Sequence, residues 1–258
     1  MLLLGFLWFQ QYGLETTKTQ VSSPVLPEAF DGFRVVQLSD LHGRRFGPGN
    51  CVLLAVVRAV KPDLIAVTGD VVDQWEQIQE TQRLLAALQE IAPVYLVTGN
   101  HEWSLDRPRQ AQKALTQEGG RFLHNEAALW SRGGQHIVIA GVEDPCGPWD
   151  QPTPQTVGEN LRRKWGQDSF LLLLGHRNET AAQWAMTQAD LVLAGHSHGG
   201  LIRLPGLGGV IRRHGDGSCQ GGLYKAGRTQ LFVSRGLGGK GLRLWNRPEI
   251  AVIELLKS

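Results

Sequence analysis

The chain has 258 residues, 42% hydrophobic and 19% charged, which describes an ordinary globular protein of a length for one large α/β domain or two small ones. With 26 basic and 24 acidic residues the formal net charge is +2, too balanced to argue for a nucleic-acid-binding surface. Cys51, Cys146 and Cys219 are odd in number, widely spaced and form no CxxC pair, which argues against a disulfide framework and against a thiolate metal site.

Met1 to Phe9 is apolar and stops at Gln10-Gln11-Tyr12. A bilayer span needs about 20 apolar residues, so this run alone cannot cross one. It also lacks the positive start and small-residue cleavage site of a signal peptide. An interfacial anchor, the tail of a longer transmembrane helix and an arm packed on the domain all fit residues 1–12, and membrane association is the favoured reading. Residues 13–32 carry Thr, Ser, Pro and Gly and read as a linker.

The domain starts at Phe33 and extends to residue 258. Arg34 to Ser39 alternates well enough for a strand and delivers Asp40-Leu-His42. Gly43 to Gly49 is a loop with Arg44 and Arg45, and Asn50 can cap a helix through about Val60. Leu64 to Thr68 is a second strand, ending at Gly69-Asp70 with Asp73 three residues on. A helix follows, with Ile78, Leu84, Leu85, Leu88 and Ile91 on one core-facing stripe. Pro93 to Thr98 is a third strand, ending at Gly99-Asn100-His101-Glu102. The strand–helix–strand rhythm argues for a largely parallel sheet.

From Glu126 the rhythm changes. Ala127 to Trp130, the Arg132-Gly-Gly134 turn and His136 to Ala140 predict an antiparallel hairpin. A helix near 155–165 precedes a strand at 169–174 that delivers Gly175-His176. A helix over about 178–187 leads to Leu191-Val-Leu-Ala-Gly195, followed by His196 and His198. Short strands are expected at 222–226, 229–234 and 249–256. The parallel set and the hairpin set are too many strands for one compact layer, so one domain with two sheets is expected. Arg203, Arg212, Arg213, Arg228, Arg235, Arg243 and Arg247 concentrate in the last third. They leave a local basic cluster open, with scattered solvated arginines the plainer reading.

Seven side chains of ligand type stand at the strand ends: Asp40, His42, Asp70, Asn100, His176, His196 and His198. They supply carboxylate, amide and imidazole and no thiolate, a mixture that suits Mn, Fe or Zn. Seven are too many for one ordinary site and fit two divalent metal ions sharing a bridging carboxylate. Two metals about 3.5–4 Å apart clamp both oxygens of an in-line phosphoryl displacement and lower the pKa of a bound water. Each residue alone has a bland alternative: Asp40 in a turn, His42 on the surface, Asp70 as a helix cap, Asn100-His101 as a turn. Recurrence in order, each motif following an expected strand, is what coincidence does not produce.

Asp40-x-His42, Gly69-Asp70-x-x-Asp73, Gly99-Asn100-His101-Glu102, Gly175-His176 and Gly195-His196-x-His198 together resemble the signature of the calcineurin-like metallophosphoesterases. Gly199-Gly200, Ser234 to Gly238 and Asn246 to Ile250 resemble a bacterial, often membrane-anchored, single-domain branch. The resemblance spans roughly residues 33 to 256. It implies a four-layer α/β/β/α sandwich of two mixed β-sheets with the dimetal site at the strand ends. It implies one metal on Asp40, His42 and His198, a second on Asn100, His176 and His196, and Asp70 bridging. His101 is then the group that protonates the leaving oxygen or stabilises charge on phosphorus, as a group with pKa near 6.5 can. Asp73 would accept from its other ring nitrogen. Arg44 or Arg45 could hold a phosphate oxygen.

Two departures bear on substrate preference rather than metal binding. The family commonly has a proline soon after the ligand histidine, where Arg177-Asn178-Glu179 follows His176, and a Gln after the double glycine, where Leu201 stands. The expected activity is hydrolysis of a phosphate mono- or diester, in a membrane-associated or cytoplasmic protein. An alternative is hydrolysis of the pyrophosphate bond of a nucleotide-linked lipid precursor such as UDP-2,3-diacylglucosamine. A reading of another class, a non-catalytic metal-binding scaffold, is opposed by the presence of His101 and all seven ligands.

Overall fold

In the computed structural model, residues 1–179, 181–204, 206–211 and 219–258 are described. Thr180, within the helix expected over 178–187, and Arg212 and Arg213 of the arginine cluster lie outside them. The first half of the chain carries α1 (Leu2–Tyr12), β1 (Glu15–Ser23), β2 (Phe33–Leu38), α2 (Cys51–Val60), β3 (Leu64–Thr68), α3 (Ile78–Gln89), β4 (Val94–Val97), α4 (Asn100–Trp103), α5 (Pro108–Leu115) and β5 (Arg121–Phe122). Then come β6 (Ala127–Arg132), β7 (Gln135–Gly141), α6 (Pro154–Trp165), β8 (Leu171–Leu174), α7 (Ala181–Ala185) and β9 (Leu191–Ala194). The chain continues with β10 (Arg203–Leu204), β11 (Gly208–Gly209), β12 (Gly222–Ala226), β13 (Thr229–Val233) and β14 (Glu249–Lys257).

Two six-stranded sheets form, in the orders β1-β14-β2-β3-β4-β5 and β12-β13-β9-β8-β7-β6. Both are mixed. In the first, β2 to β5 are parallel and β14 runs against β2; in the second, β7, β8, β9 and β13 are parallel and each edge is an antiparallel pair. The apolar runs are continuous rather than alternating because each central strand is covered on both faces. Ile65 and Val67 face Leu53 and Val57 of α2 and Leu84, Leu85 and Leu88 of α3. Leu64 and Ala66 face the other way, into a layer shared with Leu172, Leu174, Leu191 and Leu193 of the second sheet. Leu171, Leu173 and Val192 face Val157 and Leu161 of α6 and Trp184 of α7. Three apolar layers between helices, sheet, sheet and helices make the α/β/β/α sandwich.

Residues 13–32 are not a linker. Glu15 to Ser23 pair in parallel with Glu249 to Lys257, and the short helical turn Glu28–Phe30 buries Phe30 between the sheets. Thr16, Thr17, Thr19 and Val21 are β-branched and suit an edge strand. Their outward polar faces are what made the stretch read as solvent-exposed connection. The helix after residue 177 is shorter than expected, and α4, α5 and β5 add elements in the stretch between Asn100 and Glu126.

Among the described residues, several arginines of the last third are tied into the fold rather than left solvated. Arg243 is buried, with burial pushing its pKa down to about 9, and donates to the carbonyls of Arg235, Gly238 and Asn246. Arg235 pairs with Glu249 and Glu15, and Arg228 with Asp190.

Candidate metal centre

The C-terminal ends of β2, β3 and β4 in one sheet and of β8 and β9 in the other meet along one edge of the sandwich. Hydrogen bonds stitch them together: Gln37 Nε2 donates to the Ala194 carbonyl at 2.8 Å, and the His196 N–H donates to both carboxylate oxygens of Asp40 at 3.1 Å. Strand-end loops of this kind are where open α/β sheets bind ligands.

Six of the seven ligand candidates converge there, and Asn100 lies between Gly99 and His101, both of which touch Asp70. Three groups of side chains are close enough to hold a metal ion: Asp40 with His42 and His198, Asp70 with His176 and His196, and His42 with Asp70 and His101. The backbone is bent to bring them in. Asp40, His42, Asp70, His196 and His198 all have positive φ, between 49° and 66°. Such conformations cost non-glycine residues on the order of 1–3 kcal/mol each and cluster at functional sites. Asp70 additionally requires Gly99 opposite it, because a Cβ there would overlap its carboxylate.

His176 Nδ1 donates to the Thr68 carbonyl at 2.8 Å, which leaves Nε2 as the free lone pair, 3.3 Å from Asp70 Oδ2. Burial opposes its charging, but Asp70 outweighs burial and the pKa is pushed up to about 10. His198, buried and farther from its carboxylate, goes the other way, to about 4. Burial likewise opposes ionisation of Asp70, yet the imidazoles of His176, His42 and His101 hold it well below the usual carboxylate range. The cluster is thus a buried carboxylate whose charge draws positive charge to the imidazoles around it, an environment that suits a cation.

Nine buried side-chain atoms have no hydrogen-bond partner among the described residues, and three of them lie on ligand candidates: His42 Nε2, Asn100 Oδ1 and His198 Nδ1. An unsatisfied buried polar atom costs roughly 1–3 kcal/mol. With carboxylate and imidazole atoms gathered within ligand distance of one another, the residues present fit a divalent metal.

His101 sits at the rim, about one-third exposed, with Nε2 3.9 Å from Asp70 Oδ2 and Nδ1 2.9 Å from Asp73 Oδ1. The bond to Asp73 is the largest cause of the upward shift of its pKa. The same Asp73 oxygen lies 2.5 Å from His42 Nδ1. Sequence reasoning paired Asp73 with His101 alone.

Glu102 has a structural role that the motif alone does not announce. It is fully buried at the start of α4, and its carboxylate accepts the backbone N–H groups of Gly99, Asp70, Val71 and Val72. It therefore locks the loop after β3 to the loop after β4. A Glu two residues after the Asn and three after the Gly is the spacing that permits it, as in a capping box.

Arg44 and Arg45 are engaged elsewhere. Arg44 donates to the Gln11 carbonyl at 2.7 Å and lies over the Tyr12 ring, while Arg45 is exposed beside Glu80. The arginine at the cluster is Arg177. Its Nε and Nη2 grip both oxygens of buried Asp144, at 2.6 and 3.0 Å, and its Nη1 lies 3.0 Å from His196 Nε2. One set of tautomers satisfies the whole row: Arg177 donates to His196 Nε2, His196 Nδ1 to His176 Nε2 at 3.1 Å, and His176 to Thr68.

The profile of the calcineurin-like phosphoesterases matches residues 33–200, and the chain belongs to that family. It is accordingly a metallophosphoesterase, a hydrolase acting on phosphoester bonds. It is 31% identical over 235 residues to the phosphodiesterase YaeI of Escherichia coli K12, covering 87% of this chain and 82% of that protein. With the uncharacterized metallophosphoesterase YkuE of Bacillus subtilis strain 168 it shares 29% identity over 259 residues, 96% of this chain and 87% of the relative. The sulfate thiohydrolase SoxB of Thermus thermophilus has a similar fold, with TM-score 0.56 at 15% identity over 90% of this chain and 58% of that longer one.

Proposed function

We propose that the protein hydrolyses phosphate mono- or diesters at a centre of two divalent metals, Mn, Fe or Zn. Asp40, His42 and His198 would hold one, Asn100, His176 and His196 the other, with Asp70 between them. The observation that carries this reading is the gathering of Asp40, His42 and His198, and of Asp70, His176 and His196, into two groups whose ligand atoms lie within reach of one ion each. Bound there, such metals polarise the phosphoryl oxygens and bring the pKa of a water near neutrality.

The chain's own residues supply the rest. Asp73 fixes the His101 ring by its Nδ1–H, so Nε2 is the nitrogen that faces the cluster, and the same bond raises the ring's pKa above its ordinary value. As the ester P–O bond breaks, His101 Nε2 gives its proton to the leaving oxygen. Arg177 stands at the edge of the cluster, with Nη1 3.0 Å from His196 Nε2. Asp144 keeps the guanidinium in place, where Arg177 Nη1 would donate to a phosphoryl oxygen. Turnover of bis-(p-nitrophenyl) phosphate and p-nitrophenyl phosphate by Mn-loaded protein tests the reading. Absence of turnover of both, at full metal occupancy, would overturn it.

A second substrate reading, the pyrophosphate bond of a nucleotide-linked lipid such as UDP-2,3-diacylglucosamine, is favoured by exposed Leu242 and Trp245 in the loop that follows Gly239 beside the His198 ring. Release of UMP from that compound, compared with turnover of the simple diester, separates the two.

A further inference from the structure

Helix α1 packs the wrong way round for a helix in water. Its buried residue is Gln10, whereas Leu2 (94% exposed), Leu3, Leu4, Phe6, Trp8 and Phe9 point outward. The inward contacts are polar. Gln10 Oε1 accepts the Trp245 N–H at 2.8 Å, Gln11 Nε2 donates to the Arg243 carbonyl at 2.9 Å, and Arg44 donates to the Gln11 carbonyl. Helices of water-soluble domains turn their apolar stripe to the core and their polar face to solvent. Polar inside and apolar outside is the arrangement for an outer medium of hydrocarbon.

The apolar surface continues past α1 onto two other segments. Leu242 and Trp245 are about half exposed in the loop that Gln10 and Gln11 grip. Leu244 of the same loop bridges to Ile202 and accepts the Arg203 N–H at 3.0 Å, which joins the β10–β11 hairpin to it. On that hairpin Leu204, Leu207 (80% exposed) and Val210 are bare. The far end of this zipped surface is the metal centre itself. Asn246 Nδ2 donates to the His198 carbonyl at 2.8 Å, and Gly239 packs so closely on the His198 ring that a Cβ there would overlap it.

Charge and ring chemistry indicate what covers this face. Residues 1–14 contain no Asp or Glu. Arg44 and Arg247 lie against α1 and Arg203 joins the 242–245 loop, and Glu15 at the base of α1 is paired with Arg235 and Arg247. Trp8 stacks on Tyr12 at 5.6 Å, Arg44 lies over Tyr12, and Arg247 lies over Phe9 at 4.8 Å. Tryptophan and tyrosine between apolar and basic side chains are the residues of the headgroup level of a bilayer. Basic residues there are attracted by anionic lipid.

We propose that α1, the 242–245 loop and the β10–β11 hairpin form one docking face for a bilayer carrying anionic headgroups. Docking sets the rim of the metal centre against the headgroup layer. The proposal rests on the phosphoesterase reading for the chemistry and adds a substrate class, phosphoesters borne by membrane lipids.

Co-sedimentation of the full chain with phosphatidylcholine vesicles, with and without phosphatidylglycerol, tests it together with Leu3→Asp, Leu207→Asp and Leu242→Asp, one in each segment. Wild type should bind both vesicles and bind tighter with phosphatidylglycerol. Each variant should partition about tenfold more weakly or worse, the loss expected for one apolar contact. In Leu3→Asp and Leu207→Asp soluble bis-(p-nitrophenyl) phosphate should turn over as in wild type, while hydrolysis of a nitrophenyl-phosphatidyl diester embedded in the vesicles falls in step with binding. Wild type left in the supernatant, or loss confined to Leu3→Asp, would overturn the composite face. A lipid-free dimer split by Leu207→Asp or Leu242→Asp would assign the face to a second copy instead. An embedded ester left intact by a bound enzyme that hydrolyses the soluble one would overturn the substrate class. A bound protein inactive on both would count against the phosphoesterase reading and leave the docking result standing.

Discussion

Asp73 Oδ1 lies 2.5 Å from His42 Nδ1 and so holds a ligand candidate by the nitrogen that faces away from the cluster. Because the same oxygen serves His101, one carboxylate orients both a metal-holding ring and the proposed acid. Asp73→Asn should therefore lower Mn affinity as well as kcat, each by about 10–100-fold, the usual effect of removing a carboxylate behind a ligating histidine. Titration with Mn alongside kinetics at saturating Mn checks this; an unchanged affinity would confine Asp73 to His101.

His101→Ala should keep its metals and lose about 10²–10⁴-fold in kcat with little change in KM. The deficit should shrink for a nitrophenolate leaving group, which needs little protonation. An equal loss across leaving groups would point to charge stabilisation on phosphorus instead. Loss of metal from the variant would mean that His101 is a ligand.

Metal analysis after Mn loading should give close to two ions per chain, and Asp70→Ala should give close to none. Asp70 Oδ2 lies near His42, His101 and His176 at once, so both proposed sites share it. One retained ion in Asp70→Ala would show that the sites are independent.

Glu102→Ala should destabilise the fold by on the order of 3 kcal/mol or more, since four backbone N–H groups lose a buried acceptor worth roughly 1–3 kcal/mol each when left unpaired. Urea denaturation of the metal-free protein measures it without the complication of metal binding. Glu102→Gln should be intermediate, as it turns an NH₂ toward donors.

Arg177→Lys and Asp144→Ala should both raise KM for the diester about tenfold with metal content intact, because a lysine keeps the charge but not the fork that Asp144 grips. Effects on kcat alone would move Arg177 from substrate binding to the transition state.

Much of the centre was legible because each ligand follows a run of apolar residues that can only be a buried strand, as Leu64 to Thr68 before Asp70 and Leu191 to Ala194 before His196. What stayed hidden depends on long-range pairing. Arg177 and Asp144 are 33 residues apart, and neither has a local pattern that announces the other. Arg44 looked like a phosphate ligand by its nearness to His42, yet α1 claims it through Gln11. The strand at 15–23 could not be told from connection while its partner stood 234 residues downstream.

That pairing sets the order in which the molecule can be finished. Strand β14 lies between β1 and β2, so β1 has no seat until residues 249–257 exist. At a synthesis rate of about 5–20 residues per second, roughly 10–50 s separate the two strands. Through that interval β1 trails free with α1 attached, and β2 is an open sheet edge, ready to pair with a stranger. A stop a few codons before Glu249 would make that interval permanent.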